Sequence, residues 1–196
     1  GEFHYFHHLC DEHRFDADEL ILDAAREAGI RMVLLYAYYR TGGIGAPLVG
    51  GQRRFATPSL DAYRRRLDAL EAKLDPSRQS LGIVAHSIRA VDLDELEDLH
   101  REARERGWVF HMHLEEQRQE IAASRDAYGK TPMAAVLERV DPGAVPTTAV
   151  HCTHTAPDDM ARYLERGGRV CICPLTEANL ADGIADLPAM ASAVAD

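Results

Sequence analysis

The sequence predicts an α/β fold built on a parallel sheet, and three observations carry that expectation. Six short runs rich in β-branched and aromatic residues recur along the 196-residue chain, at 2–8, 30–39, 80–87, 108–114, 147–154 and 168–175. Each is too continuously apolar to leave one face in water, which is the pattern of strands covered on both faces. Segments with helical spacing separate them, and strand–helix alternation implies βαβ crossovers. A (β/α) barrel and a doubly wound open sheet both satisfy this pattern.

The elements follow in order. After the first run, "EFHYFHH", Leu20, Ala24 and Ala28 predict a helix over 17–28 that Gly29 stops. The second run, "IRMVLLYAYY", leads into "RTGGIGAPLVGGQRRF". There Leu48 stands where the third glycine of a dinucleotide fingerprint belongs, and no helix pattern begins, which argues against a nucleotide site. Thr57 and Pro58 predict an N-cap and a first-turn proline for a helix with Leu60, Tyr63, Leu67, Leu70 and Leu74 on one face. The third run, "SLGIVAHS", precedes a capping-box-like start at Asp92 and Glu95, with Leu93, Leu96, Leu99 and Ala103 along one side and Gly107 as the stop. The fourth run is "WVFHMHL". Thr131 and Pro132 open a helix through Val140, ahead of the fifth run, "TTAVHCTH". Thr155 opens a last helix through Arg166, and "GRVCICPL" is the sixth run. The tail "ADLPAMASAVAD" contains no strand. With no linker, low-complexity tract or longer repeat, residues 1–196 are expected to form a single domain.

Composition narrows the function. The chain is 46% hydrophobic and 28% charged, a globular balance. A formal net charge of -10 argues against nucleic acid and anionic membrane as partners, so an anionic ligand would need local arginines. No apolar run approaches the ~20 residues of a membrane span, and the N-terminus lacks a secretory pattern. Cys10, Cys152, Cys171 and Cys173 form no C-x-x-C pair, and the last three lie in apolar strand-like runs. They are expected to be buried, reduced thiols, small hydrophobes rather than zinc ligands, in a cytoplasmic protein.

Chemistry-bearing residues gather at the C-terminal ends of the runs. They are His4, Tyr5, His7 and His8; Tyr36, Tyr38 and Tyr39; His86 and Arg89; His111, His113 and Glu116; His151 and His154; Thr176, Glu177 and Asn179. A barrel enzyme builds its site at that face. His111 and His113, two apart, share one face of a strand, and Glu116 lies just past its end. Neutral imidazole suits zinc or iron, and a carboxylate beside a metal-bound water can move its proton. This reading makes His113 the ligand and His111 a support.

Taken together and in order, "EFHYFHH", "GQRRF", "AHSIRAV", "HMHLEEQ", "HCTH" and "CPLTEANLADGI" resemble the formimidoylglutamate deiminases of the amidohydrolase superfamily, from residue 2 to about 184. The resemblance implies a metal-dependent (β/α)8 TIM barrel of the amidohydrolase type. It also implies hydrolysis of N-formimino-L-glutamate to N-formyl-L-glutamate and ammonia in histidine degradation. By the same resemblance His113 binds the metal, Glu116 is the acid/base and His151 stands beside the metal-bound water. His86, Arg89 and Tyr5 hold the substrate, whose glutamate carboxylates suit a bidentate guanidinium. Arg53 and Arg54 are further candidates, with surface charge the equal alternative, as are Glu177 and Asn179. The implied cofactor is one divalent metal, zinc ahead of iron.

The sequence departs from the family pattern at Ala85, Glu115 and Ala181, which replace a proline, a small residue and a glycine. Glu115 should point away from Glu116. The family also takes metal ligands from a His-x-His on strand one and an aspartate on strand eight. If "HMHLEEQ" is strand five, the chain carries strands two to seven only. The barrel is then incomplete, one ligand of four is present, the metal is absent from this chain alone, and two open edges favour self-association. Three readings follow: an inactive fragment of such a deiminase, a metal-free interaction or oligomerisation module, and a sister deaminase acting on another amidine or heterocycle.

Overall fold

A computed structural model describes residues 1–6 and 17–194; His7, His8 and Cys10 lie outside the described residues. Six parallel strands lie side by side in chain order. They are β1 (Glu2–Tyr5), β2 (Met32–Tyr38), β3 (Gln79–Ala85), β4 (Val109–Leu114), β5 (Thr147–His151) and β6 (Arg169–Cys171). The crossovers contain α1 (Ala17–Glu27), α2 (Leu60–Glu71), α3 (Leu93–Arg106), α4 (Arg118–Tyr128), α5 (Pro132–Leu137) and α6 (Pro157–Glu165). After β6 come α7 (Pro174–Leu180) and α8 (Leu187–Val194). No helix among the described residues is long and apolar enough to cross a membrane.

Period-two alternation splits each strand between two cores. Outward residues such as Leu34, Leu81, Ile83, Phe110 and Met112 join Leu67, Leu70, Leu96 and Leu99 of the helices in the main core. Inward residues Leu35, Ala37 and Val84 form a separate small cluster with Phe6, Val33 and Val109. Three strand steps in a flat sheet would put β1 about 14 Å from β4. Yet the rings of His4 on β1 and His113 on β4 lie 4.8 Å apart. The sheet is therefore curled, with the small cluster on its concave side, as one wall of a barrel.

Several local expectations change. The cap of α2 is Ser59, whose hydroxyl accepts from Ala62 N at 3.1 Å. Thr57 instead extends the β2 end: its N–H donates to Tyr39 O at 2.7 Å and its hydroxyl accepts from Tyr39 N. The cap of α6 is Ala156 with Pro157 as the first helical residue, not Thr155. Asp92 does cap α3, but Glu95 turns away to accept from Tyr38 OH at 2.8 Å. Thr131 caps α5 as expected, and the helix stops at Leu137. The helices α4, α7 and α8 were not anticipated. The first lacks a side-chain cap, and α7 starts inside the sixth apolar run because Pro174 has no N–H for a strand ladder.

Tyr36 and Tyr38, at the end of the second run, point outward rather than into the strand-end cluster; Tyr36 meets Asp18 and accepts at its carbonyl from Tyr63 OH at 2.6 Å. Of the cysteines, only Cys152 is buried among the described residues; Cys171 is exposed and Cys173 intermediate, because β6 is an edge strand.

Ala181 closes α7 in the left-handed region, at φ 57° and ψ 33°. That conformation costs a non-glycine residue about 1–2 kcal/mol, offset by the greater chain entropy of glycine, about 0.4–1 kcal/mol. Ala181→Gly is therefore expected to raise stability by roughly 0.5–1 kcal/mol. An unchanged or lowered urea midpoint would refute this.

Candidate active site

The concave side carries a histidine cluster at the C-terminal ends of the strands. His113 stacks on His4 at 4.8 Å and approaches His86 at 4.6 Å and His151 at 5.4 Å between ring centroids. Strand register places it there, since Val150 lies opposite His113 and Cys171 opposite Val150 on the same face. Burial first, then the neighbouring rings, push His4 down to about 3 and His86 well below the ordinary imidazole value. Burial holds His113 at about 4, so it is neutral at physiological pH. Its Nδ1 lies 2.8 Å from the carbonyl of His86. A carbonyl only accepts, so Nδ1 carries the proton and Nε2 keeps a free lone pair.

A carboxylate line runs beside the cluster. Glu116 Oε2 accepts from Arg89 Nη2 at 2.8 Å, and its Oε1 lies 3.4 Å from His151 Nε2. His151 Nδ1 lies 3.1 Å from Glu177 Oε1. Glu177 is buried and also accepts from the backbone N of Cys173 at 2.8 Å, so it fixes both the start of α7 and the His151 ring. His151 and Cys152 are consecutive non-glycine residues at positive φ, 79° and 52°. Such strain costs on the order of 1–3 kcal/mol per residue and gathers at functional sites. The turn is held by Cys152 N donating to Leu114 O and His154 N donating to Glu115 O.

His113, Glu116, His151, Glu177, Arg89 and His86 thus come together. Tyr5 does not: its ring lies tilted against Tyr36 on the convex side at 6.1 Å, and burial followed by the Asp18 charge raises its pKa. The inward residue of "FHY" is His4, whose Nε2 is buried with no hydrogen-bond partner among the described residues. Alternation in "EFHY" contained that signal, since Phe3 and Tyr5 form the apolar face. His111 lies a layer deeper, its Nε2 3.7 Å from the Glu2 carboxylate. Arg53 and Arg54 are exposed on a short 3-10 helix (Gly50–Phe55). That helix reaches the mouth through Phe55, stacked on Phe6 at 4.0 Å, while Phe6 and Tyr39 each approach His86 at 4.9 Å. Asn179 is exposed on α7.

Glu115 points away from Glu116, as expected. It is fully buried and accepts from Met133 N at 3.0 Å in the first turn of α5. Glu120, four residues after Glu116 in the first turn of α4, joins the site with no signal in the strand-end pattern. It is 2% exposed, accepts from Glu115 N at 3.3 Å and sits 3.6 Å from Arg89. Burial pushes its carboxyl up to about 7, against the pull of Arg89; Glu115 and Glu116 also raise it. Between the ordinary carboxylate range and pH 7 the folded chain then binds more protons at this site than the unfolded chain. This contribution to stability falls as pH rises through that window and is flat above it. Glu120→Gln is expected to remove this slope, so that the variant gains on the wild type from pH 5 to pH 8. Parallel curves of unfolding free energy against pH would refute it.

The family's implied metal can be tested against these donors. The His113 tautomer fits a ligand, and the buried, unpartnered His4 Nε2 leaves a second imidazole nitrogen uncommitted beside it. No group of three His, Cys, Asp or Glu side chains converges on one point among the described residues. The chain therefore fits one edge of a metal site.

Parallel strands that aim imidazoles, carboxylates and a guanidinium from their C-terminal ends into the concave side of a barrel wall define a barrel-type hydrolase site. The chain belongs to the amidohydrolase family, whose profile matches residues 4–194. It is 37% identical over 191 residues to the formimidoylglutamate deiminase of Pseudomonas aeruginosa, covering 94% of this chain and 41% of that protein. It is 29% identical over 169 residues to a 5-methylthioadenosine/S-adenosylhomocysteine deaminase of Symbiobacterium thermophilum, covering 86% and 36%. A crystal structure of an amidohydrolase from Brucella melitensis superimposes with a TM-score of 0.87 at 30% identity, over 97% of this chain and 43% of that one. The chain spans about two fifths of the length of these relatives. The deiminase and deaminase named here are hydrolases of C–N bonds.

Proposed function

We propose that this chain forms the central wall of a cytoplasmic, metal-dependent deiminase that hydrolyses N-formimino-L-glutamate to N-formyl-L-glutamate and ammonia, and that it is inactive by itself. The single observation that carries the reading is Glu116, set between Arg89 and His151 beside the neutral His113. A divalent metal, zinc ahead of iron, would be held in part by His113 and would supply an acidified water at neutral pH. Glu116 takes the proton of the attacking water and returns it to the departing amidine nitrogen. His151, held by Glu177, donates toward the charge that develops at the reacting carbon's substituents. Arg89 binds a substrate carboxylate through its planar fork, with His86 beside it; Arg53 and Arg54 attract the dianion to the mouth. The expected partners are this small molecule and a further copy of the protein, with no role for nucleic acid or membrane.

A second reading is favoured by the aromatic mouth. Phe6, Tyr39, Phe55 and His86 offer ring faces suited to a flat heterocycle, the substrate type of a sister deaminase. A chimera separates the two. Residues 1–196 are placed in the corresponding part of the Pseudomonas aeruginosa deiminase, and ammonia release is measured from N-formimino-L-glutamate and from 5-methylthioadenosine. Release from the first alone is expected. Release only from the nucleoside, or from neither in a soluble, metal-loaded chimera, would sink the proposal.

A further inference from the structure

Arg89 is held unevenly. Its Nη2 donates to Glu116 Oε2 at 2.8 Å, while its Nε stands 3.6 Å from Glu120 Oε2, within ion-pair reach but beyond hydrogen-bond length. Both of these last two atoms are shut off from water, and neither has a hydrogen-bond partner among the described residues. A buried donor and a buried acceptor that face each other unpaired are costly, and a small movement of one side chain would join them.

We infer that Glu120 is the alternative partner of Arg89. The guanidinium exchanges between the Glu116 contact seen here and a position in which Glu120 holds Nε. In the second position Nη2 is free for a carboxylate ligand and Glu116 is free to move protons. This rests on the roles given above to Arg89 and Glu116.

The exchange answers a conflict in the site. While Arg89 is bound to Glu116, the same guanidinium edge cannot take a substrate carboxylate in bidentate fashion, and one oxygen of the proton carrier is occupied. Glu120 is placed to resolve it. It rises from the first turn of α4, and its other oxygen is fixed by the backbone N of Glu115. Glu115 adopts φ 52°, so the chain turns sharply between β4 and this contact. The charged groups facing Glu120 are Arg89 from the segment after β3, and Glu115 and Glu116 from the end of β4. Arg89 is the cation among them. Glu120 is thus a positioning residue that acts through Arg89.

The test uses this chain with arginine labelled at Nε, the Arg89 signal being assigned by its loss in Arg89→Lys. Glu116→Gln weakens the contact seen here, so the Arg89 Nε–H is expected to become protected from exchange by about ten-fold or more. Adding Glu120→Gln keeps most of that protection, because the amide oxygen still accepts; adding Glu120→Ala abolishes it. N-formyl-L-glutamate added to the metal-loaded chimera described above, labelled and assigned in the same way, should produce the same protection. No gain in Glu116→Gln, or equal protection with Ala and Gln at 120, overturns the inference, the Gln variant serving as the folding control. If the Glu116→Gln gain appears and depends on Glu120 but N-formyl-L-glutamate has no effect, the exchange stands and the proposed substrate class fails.

Discussion

Glu116→Gln is expected to lower ammonia release in the chimera by about 10²–10⁴-fold, the range of a lost general acid–base group. Glutamine keeps the shape of the side chain, so the packing at 8% exposure can persist, while the charge-assisted contact with the Arg89 guanidinium weakens. What it cannot do is accept the proton of water and return it to nitrogen. The loss should therefore fall on kcat, with KM unchanged or lowered, because carboxylate binding belongs to Arg89, which the substitution releases from Glu116. A variant that keeps its rate would remove Glu116 from the proton path. A variant that loses affinity instead would make Glu116 a binding residue. Its neighbour Glu115 provides the contrast: it is buried against the start of α5, so its replacement should cost stability and leave the chemistry intact.

Tyr163→Ala is expected to destabilise the fold by about 3–5 kcal/mol, the cost of deleting a large buried ring. That is a large share of a typical domain's net stability. Tyr163 is 1% exposed, and its hydroxyl donates between the carbonyls of Thr147 at 3.1 Å and Arg169 at 3.2 Å. It thereby ties β6, a three-residue edge strand, to β5. Gly168 is matched to this ring: a Cβ added there would meet it at 2.4 Å. Because β6 delivers α7, and α7 carries Glu177, the same substitution should release His151 from its carboxylate. Tyr163→Phe keeps the ring and should cost about 1 kcal/mol. Denaturant unfolding distinguishes the two; equal losses for Ala and Phe would show that the hydroxyl, not the ring, holds the strand.

The six-strand α/β pattern, the strand-end placement of His86, His113, Glu116 and His151, and the outward turn of Glu115 were legible in the sequence. These rest on local rules: continuous apolar runs, period-two alternation and caps read within a few residues. Where signals competed over one or two positions, local rules were insufficient. Thr57 and Ser59 both suit an N-cap, and the backbone of Tyr39 claimed Thr57. In "EFHY" a shift of one residue exchanges His4 for Tyr5; alternation puts Phe3 and Tyr5 on one face, and pairing with β2, which sets Tyr5 against Tyr36, fixes that face as the convex one.

The sequence by itself determined the class of fold, the family and most of the candidate chemistry, because apolar periodicity and ordered motifs survive without coordinates. Only the tertiary structure decided which groups meet. The curl of the sheet brought His4 within stacking distance of His113, across a gap that a flat sheet would leave open. The turns after β3 and β4 placed Arg89 between Glu116 and Glu120, residues 27 and 31 positions further along the chain. Contacts at such separations depend on strand register, sheet curvature and left-handed turns at the strand ends, and no local sequence pattern specifies those.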